Sequence, residues 1–186
     1  ERAMIHKECE EVFGIGSPGK VISQQQKDIR QIDRDYQKTE KRAAEIASKA
    51  SRAIDTIVID GNNLCYEDEQ FIGLSALETL VPILNREHSV IIVFDSGIRR
   101  MLKTDDLGIK TSFGDDIQVH VVAAGSMADE TVLDLAAKND HTYILSNDRF
   151  GDYNEKAVVR ADRIIRHEIV GGQVFVHDLN VRCDYR

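Results

Sequence analysis

Two different hydrophobic periods divide the chain. From Val21 to about Ile54, apolar side chains return at the heptad positions Ile22, Ile29, Ile32, Tyr36, Ala43, Ile46, Ala50 and Ala53, with Gln25 and Thr39 as weak members. No glycine or proline interrupts this stretch, and Gln, Lys, Arg, Glu and Ala fill the positions between. The spacing predicts one long amphipathic helix. Its stripe is narrow, with small alanines in the C-terminal half. A seam of that width favours pairing with a second copy or a partner helix over folding back on its own domain.

From Thr56 onward the period changes. Short apolar runs bounded by turn residues alternate with helical patterns. TIVID (56–60), VIIVFD (90–95), IQVHVVA (117–123) and HTYILS (141–146) read as strands. Helices are predicted near Leu74–Leu84, with Pro82 as a kink or end, from Ile98 to about Asp105, and over Met127–Lys138. The closing RIIRHEIVGGQVFVHDL reads as a hairpin turning on Gly171-Gly172. Strands separated by helices predict a mainly parallel sheet covered on both faces, an α/β sandwich. The organisation expected is a flexible lead over 1–20, the amphipathic helix over 21–54, and one domain over 55–186.

Composition narrows the class. At 186 residues, with 30% charged and 42% hydrophobic side chains, the chain is long enough to bury a core. No apolar run approaches the roughly 20 residues of a membrane span, and no secretory signal opens it. The sequence starts at Glu1, which reads as a piece of something longer. Three scattered cysteines, Cys9, Cys65 and Cys183, spell neither a disulfide framework nor zinc spacing, so a reducing cytoplasm is the expected location. The net charge of −8 is unevenly placed: residues 1–55 carry eleven basic and ten acidic side chains, and 56–186 carry thirteen and twenty-two. The acid surplus therefore belongs to the α/β part.

One motif is a decoy. GIGSPGKV, Gly14 to Val21, nearly spells a phosphate-binding P-loop, but Val21 stands where a magnesium-ligating Ser or Thr is required. The residues ahead of it, His6 to Glu11, form no hydrophobic strand. A turn is the better reading.

The acids at strand exits carry more weight. In an open parallel sheet, ligands bind beyond the carboxyl ends of the strands, at the switch in strand order. The first strand exits on Asp60-Gly61-Asn62-Asn63, the second on Asp95-Ser96-Gly97, the last on Ser146-Asn147-Asp148. The helix before the last strand begins Ser126-Met127-Ala128-Asp129-Glu130. Singly, each has a plain explanation: a turn at Asp60-Gly61, helix-dipole compensation at Asp129 and Glu130, a cap at Asp148. Jointly, gathered carboxylates repel unless a cation lies among them. An all-oxygen set without His or Cys points to magnesium or manganese. Ions held by Asp60, Asp129 and Asp148, with Asp95 as a further candidate, have the properties needed to hydrolyse a phosphodiester.

DGNN at 60–63, ADE at 128–130 and SNDRFGDY at 146–153 resemble the NYN branch of PIN-like ribonucleases, the branch that includes the nuclease domain of CCCH zinc-finger endoribonucleases. The resemblance covers roughly 56–155, leaving out the N-terminal helix and the closing hairpin. It implies a PIN-like three-layer sandwich and a Mg2+- or Mn2+-dependent endonuclease for single-stranded or loop RNA. Carried over, Asp60 matches the first-strand acid, Asn63 the asparagine three residues on, Asp129 the helix acid, Asp148 the acid of S-N-D and Asp152 a further acid one turn later. Asp95 is a departure, because many PIN relatives place a glutamate in the helix after the second strand.

An acidic domain still needs a phosphate-binding surface. Arg99, Arg100 and Lys103 follow the second strand, and Arg149, Lys156, Arg160, Arg163 and Arg166 follow the last; both groups leave the sheet edge that bears the acids. Of these, Arg99, Arg100, Lys103 and Arg149 are the candidate RNA contacts, and Phe150 or Tyr153 a stacking platform. Three other readings compete. A haloacid-dehalogenase-type phosphatase requires D-x-D, and Asn62 occupies its second acid. A flap-type DNA nuclease shares the core but brings a longer helical arch than 98–116 supplies. A catalytically silent PIN-like module would use the same fold for RNA binding or assembly.

Overall fold

The computed structural model describes residues 2–186, and of Arg2, Ala3 and Ala50 only the backbone. The chain divides into two compact units, Glu1–Ser51 and Arg52–Arg186.

The first unit is helical. The stretch expected as a flexible lead contains α1 (Arg2–Phe13), which runs until Gly14 ends it at φ +65°. Nothing in residues 2–13 breaks a helix, so the expectation of a flexible lead is corrected there. The P-loop look-alike is the turn into α2 (Pro18–Ala50), with Ser17 extended at the N-cap and Pro18 in the first turn. Val21 is buried in this unit, whereas Ile22, Ile29, Ile32, Tyr36 and Ile46 are each more than half exposed. The helix ends at Ala50 rather than continuing to Ile54. Ala53 therefore leaves the stripe, and its carbonyl accepts a hydrogen bond from His141 Nδ1 (3.2 Å) in the second unit's own fold.

The second unit is the α/β sandwich. Its elements are β1 (Thr56–Asp60), the small hairpin β2 (Tyr66–Glu67) and β3 (Gln70–Phe71), α3 (Ser75–Leu84), β4 (Ser89–Phe94), α4 (Ile98–Leu102) and α5 (Asp106–Thr111). There follow β5 (Gln118–Val121), α6 (Ala128–Ala136), β6 (Thr142–Leu145), α7 (Ala157–Arg160), β7 (Ile164–Ile165), β8 (Glu168–Val170), β9 (Gln173–Val176) and β10 (Val181–Asp184). The central sheet has the order β5-β4-β1-β6-β7, every neighbouring pair parallel. Pro82 lies inside α3, two residues before its end.

The pleat sorts the sheet's side chains. Ile57 and Ile59 of β1, Ile92 and Phe94 of β4, and Tyr143 and Leu145 of β6 pack with Leu77, Leu80 and Leu84 of α3 and with Val174, Val176 and Cys183 beyond it. Val58, Val93 and Ile144 point to the other face, onto Val132, Leu133 and Ala136 of α6, with Val158 and Phe150. Both layers are apolar, which is why the strands read as continuous hydrophobic runs. The closing hairpin turns on Gly171 and Gly172, both at positive φ (+62° and +81°), as a two-residue turn between antiparallel strands requires. Beyond the predicted pattern, β7 extends the main sheet and β10 adds a third strand to the hairpin.

Candidate active site

Strand order reverses at β1: successive strands run outward through β4 and β5, then resume at β6 on the other side. The carboxyl ends of β1 and β6 thus flank the switch point. Asp60 is the last residue of β1 and shares the parity of Val58, so its carboxylate lies on the α6 face. Ser146, one residue past β6, has the parity of Ile144 and meets it there.

The contacts are dense. Asp60 Oδ2 accepts from Ser146 Oγ (2.9 Å) and from Asn63 Nδ2 (2.6 Å). Asn63 Oδ1 in turn accepts from the Asn147 backbone N–H (3.0 Å). The turn from Gly61 to Cys65 that carries Asn63 is a 3-10 helix, and it begins on a glycine for a steric reason. A Cβ at Gly61 would stand 2.4 Å from the Phe94 ring. Asn62, to which the sequence assigned no role, accepts from the Asp95 N–H through Oδ1 (2.8 Å) and ties the exits of β1 and β4 together.

Asp60 is 5% exposed, and burial pushes its carboxyl up to about 6. The Ser146 hydrogen bond opposes that rise, while the charges of Asp129 and Asp148 add to it. Asp129, half-buried in the first turn of α6, is also raised, by burial and then by the charges of Asp148 and Asp95. Four acids from three strand exits and one helix start are therefore electrostatic neighbours. Among the described residues, however, no three His, Cys, Asp or Glu side chains stand together as a ready metal site.

Asp148 has a second task. Its Oδ1 accepts from the Phe150 N–H (2.7 Å), and its own N–H donates to Ser146 Oγ (3.0 Å), closing the turn in which Phe150 adopts φ +49°. Asp152 lies exposed in the next turn, Gly151–Tyr153, and is not among the carboxylates acting on Asp60 or Asp129.

His167 was not foreseen. It is 4% exposed, its N–H donates to Asn147 Oδ1 (3.2 Å), and its Nε2 lies 3.3 Å from Asn147 Nδ2. Burial pushes its ring down to about 4, opposed by a hydrogen bond to the Asn63 backbone, so at neutral pH the imidazole is neutral and Nε2 accepts the amide proton. No spacing in the sequence announces this contact, because residues 147 and 167 meet only through the β6–β7 pairing.

The basic residues divide. Arg99 is half-buried and committed: its guanidinium donates to both Asp106 carboxylate oxygens (2.5 and 3.1 Å) and to the carbonyls of Val122 and Val121 (3.1 and 3.2 Å). Expected as an RNA contact, it is here engaged within the fold, where it ties α4 to α5 and the end of β5. Arg163 is buried and donates to the carbonyls of Ala136, Asn139 and Thr142. Arg166 binds the carbonyls of Ser146 and Asp148 (3.1 and 2.7 Å), bracing the acidic turn from behind. Lys156 pairs with Asp134 (2.9 Å). Arg100, Lys103 and Arg149 remain exposed. Phe150, a candidate stacking residue, is 2% exposed and belongs to the core; Tyr153 is half-buried, its hydroxyl 3.6 Å from Met127 Sδ.

Comparison with known proteins bears on this arrangement. No curated protein matches the chain. Among solved structures, the crystal structure of a point mutant of Rae1 (YacP) from Bacillus subtilis aligns at 18% identity, covering 60% of this chain and 67% of that one, with a TM-score of 0.36. A family model described as the Zc3h12a-like Ribonuclease NYN domain matches residues 53–181, the sandwich with its acidic strand exits and most of its closing sheet. The chain belongs to the Zc3h12a-like ribonuclease NYN domain family.

Proposed function

We propose that this protein is a metal-dependent endoribonuclease that hydrolyses phosphodiester bonds in single-stranded or loop RNA. The observation that carries the reading is the gathering of Asp60, Asp129, Asp148 and Asp95 at the switch point of a ribonuclease-family fold, where burial first and then the neighbouring charges raise the carboxyls of Asp60 and Asp129. A divalent cation lying among gathered carboxylates offsets their repulsion and favours their charged form.

The donor set suits magnesium or manganese. Magnesium is commonly held by one or two carboxylates together with waters and substrate phosphate oxygens, so a ready three-residue cluster is not required. Asp60, Asp129 and Asp148 are the residues that would hold the ion, with Asp95 at the rim. When bound, it supplies charge for the phosphate oxygens and acidity for a water.

The chain's own groups prepare this. Ser146 and Asn63 donate to one oxygen of Asp60 and so set the plane of its carboxylate. Asn63 also clamps the Asn147 amide, which fixes the turn holding Asp148. Arg166 neutralises carbonyl charge behind that turn. Arg100, Lys103 and Arg149 are the exposed cations available for RNA phosphates. Helix α2, with its exposed stripe, is proposed to pair with a second copy of the chain.

The test is cleavage of a labelled, partly single-stranded RNA with manganese or magnesium, beside EDTA and Asp60→Asn controls and a matched DNA strand. Metal-dependent RNA cuts lost in both controls support the reading. Binding without cleavage would instead identify an RNA-binding module with a silent site.

A further inference from the structure

The exposed stripe of α2 carries charges that decide how it pairs. With Ile22, Ile29, Tyr36, Ala43 and Ala50 at position a and Gln25, Ile32, Thr39 and Ile46 at position d, the g positions are Asp28, Asp35, Arg42 and Lys49. The e positions are Gln26, Asp33, Glu40 and Ala47. Acids therefore occupy the first half of the g edge and bases the second half.

In a parallel dimer, each g residue faces the e residue of the next heptad on the other helix. Asp28 would then meet Asp33 and Asp35 would meet Glu40, each twice by symmetry. Like charges at these positions destabilise. An antiparallel dimer instead sets g against g and e against e. The register that places Ile29 against Ile46 of the second copy also brings Asp35 opposite Arg42 and Asp28 opposite Lys49. Those four contacts attract, against two repulsive Asp33–Glu40 contacts on the other edge.

Side-chain size points the same way. In that register the layers are Ile29 on Ile46, Ile32 on Ala43 and Tyr36 on Thr39, so Ile32 and Tyr36 each meet a smaller residue. Parallel layers would stack Tyr36 on Tyr36 and Ala43 on Ala43, an uneven seam. At the other end of the stripe, Phe13, Cys9 and Val21 join Ile22 and Ile29 in an apolar groove within the helical unit, which continues the same face.

We infer that α2 self-associates as an antiparallel pair in which residues 29 and 46 of the two copies share a layer. This rests on the reading of α2 as a self-pairing helix and adds its direction and register. Residue 50 of one helix lies opposite residue 25 of the other. At 1.5 Å per residue, the two α2 C-termini, from which the nuclease units continue, are about 37 Å apart along the pair.

The test uses the full chain with Cys9→Ser, since Cys65 and Cys183 are buried. Ile29→Cys and Ile46→Cys variants are oxidised singly and mixed, and the solution mass is measured by sedimentation. The antiparallel pair gives disulfide-linked dimers in the mixture and not in either variant alone. Asp35→Lys then raises the dimer dissociation constant roughly tenfold, and adding Arg42→Glu restores it. A dimer that cross-links through residue 29 alone, or that tightens on Asp35→Lys, overturns the direction and leaves the pairing intact. A chain that sediments as a monomer throughout overturns both. Neither outcome touches the nuclease reading, because RNA cleavage is not the readout.

Discussion

Helix α2 and strand β1 carry equally regular apolar patterns and end in opposite conditions. Ile57, Val58 and Ile59 of β1 are fully buried, whereas Ile29, Ile32 and Ile46 of α2 are more than half exposed. Periodicity tells which residues share a face; it does not tell whether this chain supplies what covers that face. In the α/β unit the cover is built in, with α3 on one side of the sheet and α6 on the other. In the helical unit the stripe of α2 stays exposed, and the self-pairing proposed for it is what would cover it.

Substitutions on the two sides sharpen this contrast. The largest effect is expected at Phe150, which is buried beneath the acidic turn: Phe150→Ala should destabilise the α/β unit by about 3–5 kcal/mol. Urea unfolding followed by sheet-sensitive circular dichroism measures it, and a loss within the range of a surface change would mean that the turn is not anchored in the core.

Asp60→Asn tests function against stability at one residue. It should lower the cleavage rate about a hundredfold or more in a single-turnover assay. In metal-free protein the same change should stabilise the fold at neutral pH. The Asp60 carboxyl is raised from 3.8 to about 6 in the folded state. The unfolded chain therefore binds fewer protons than the folded one between those values, and stability falls as pH climbs through that window. The loss is at most about 3 kcal/mol and is complete above pH 6 to 7. The asparagine variant should show a flatter stability profile over that interval; a profile parallel to the unaltered protein would remove the buried charge as its cause.

A smaller effect is expected on the RNA surface. Arg100→Glu with Arg149→Glu should weaken RNA binding and shallow its salt dependence by about one to two phosphate contacts. Arg99→Gln should leave that slope unchanged and lower thermal stability instead, since its guanidinium is held by Asp106 and two carbonyls. If Arg99→Gln alone flattens the slope, RNA must displace those contacts. The smallest effect belongs to the open stripe. Tyr36→Ala, at a residue 67% exposed, should change unfolding of the dilute protein by no more than about 0.5 kcal/mol while weakening self-association. Light scattering over a concentration series separates the two.

The sequence by itself determined the order of the four core strands β1, β4, β5 and β6, their parallel sheet and the acids at its edge. Those features are local. A five-residue apolar run reports its own burial, and an acid directly after it must leave at the strand's carboxyl end. Gly171-Gly172 reported its turn for the same reason, since few other residues accept two successive positive φ values. Tertiary structure alone decided what each polar residue does once there. Arg99 and Arg100 are neighbours in sequence, yet one is locked to Asp106 and the other faces solvent. Phe150 is core rather than a base-stacking ring because the Asp148 turn folds it inward. His167 reaches Asn147 only because β7 pairs with β6. Each of these depends on which segments meet across the sheet, and that is set by the packing of the whole unit rather than by any stretch of residues within it.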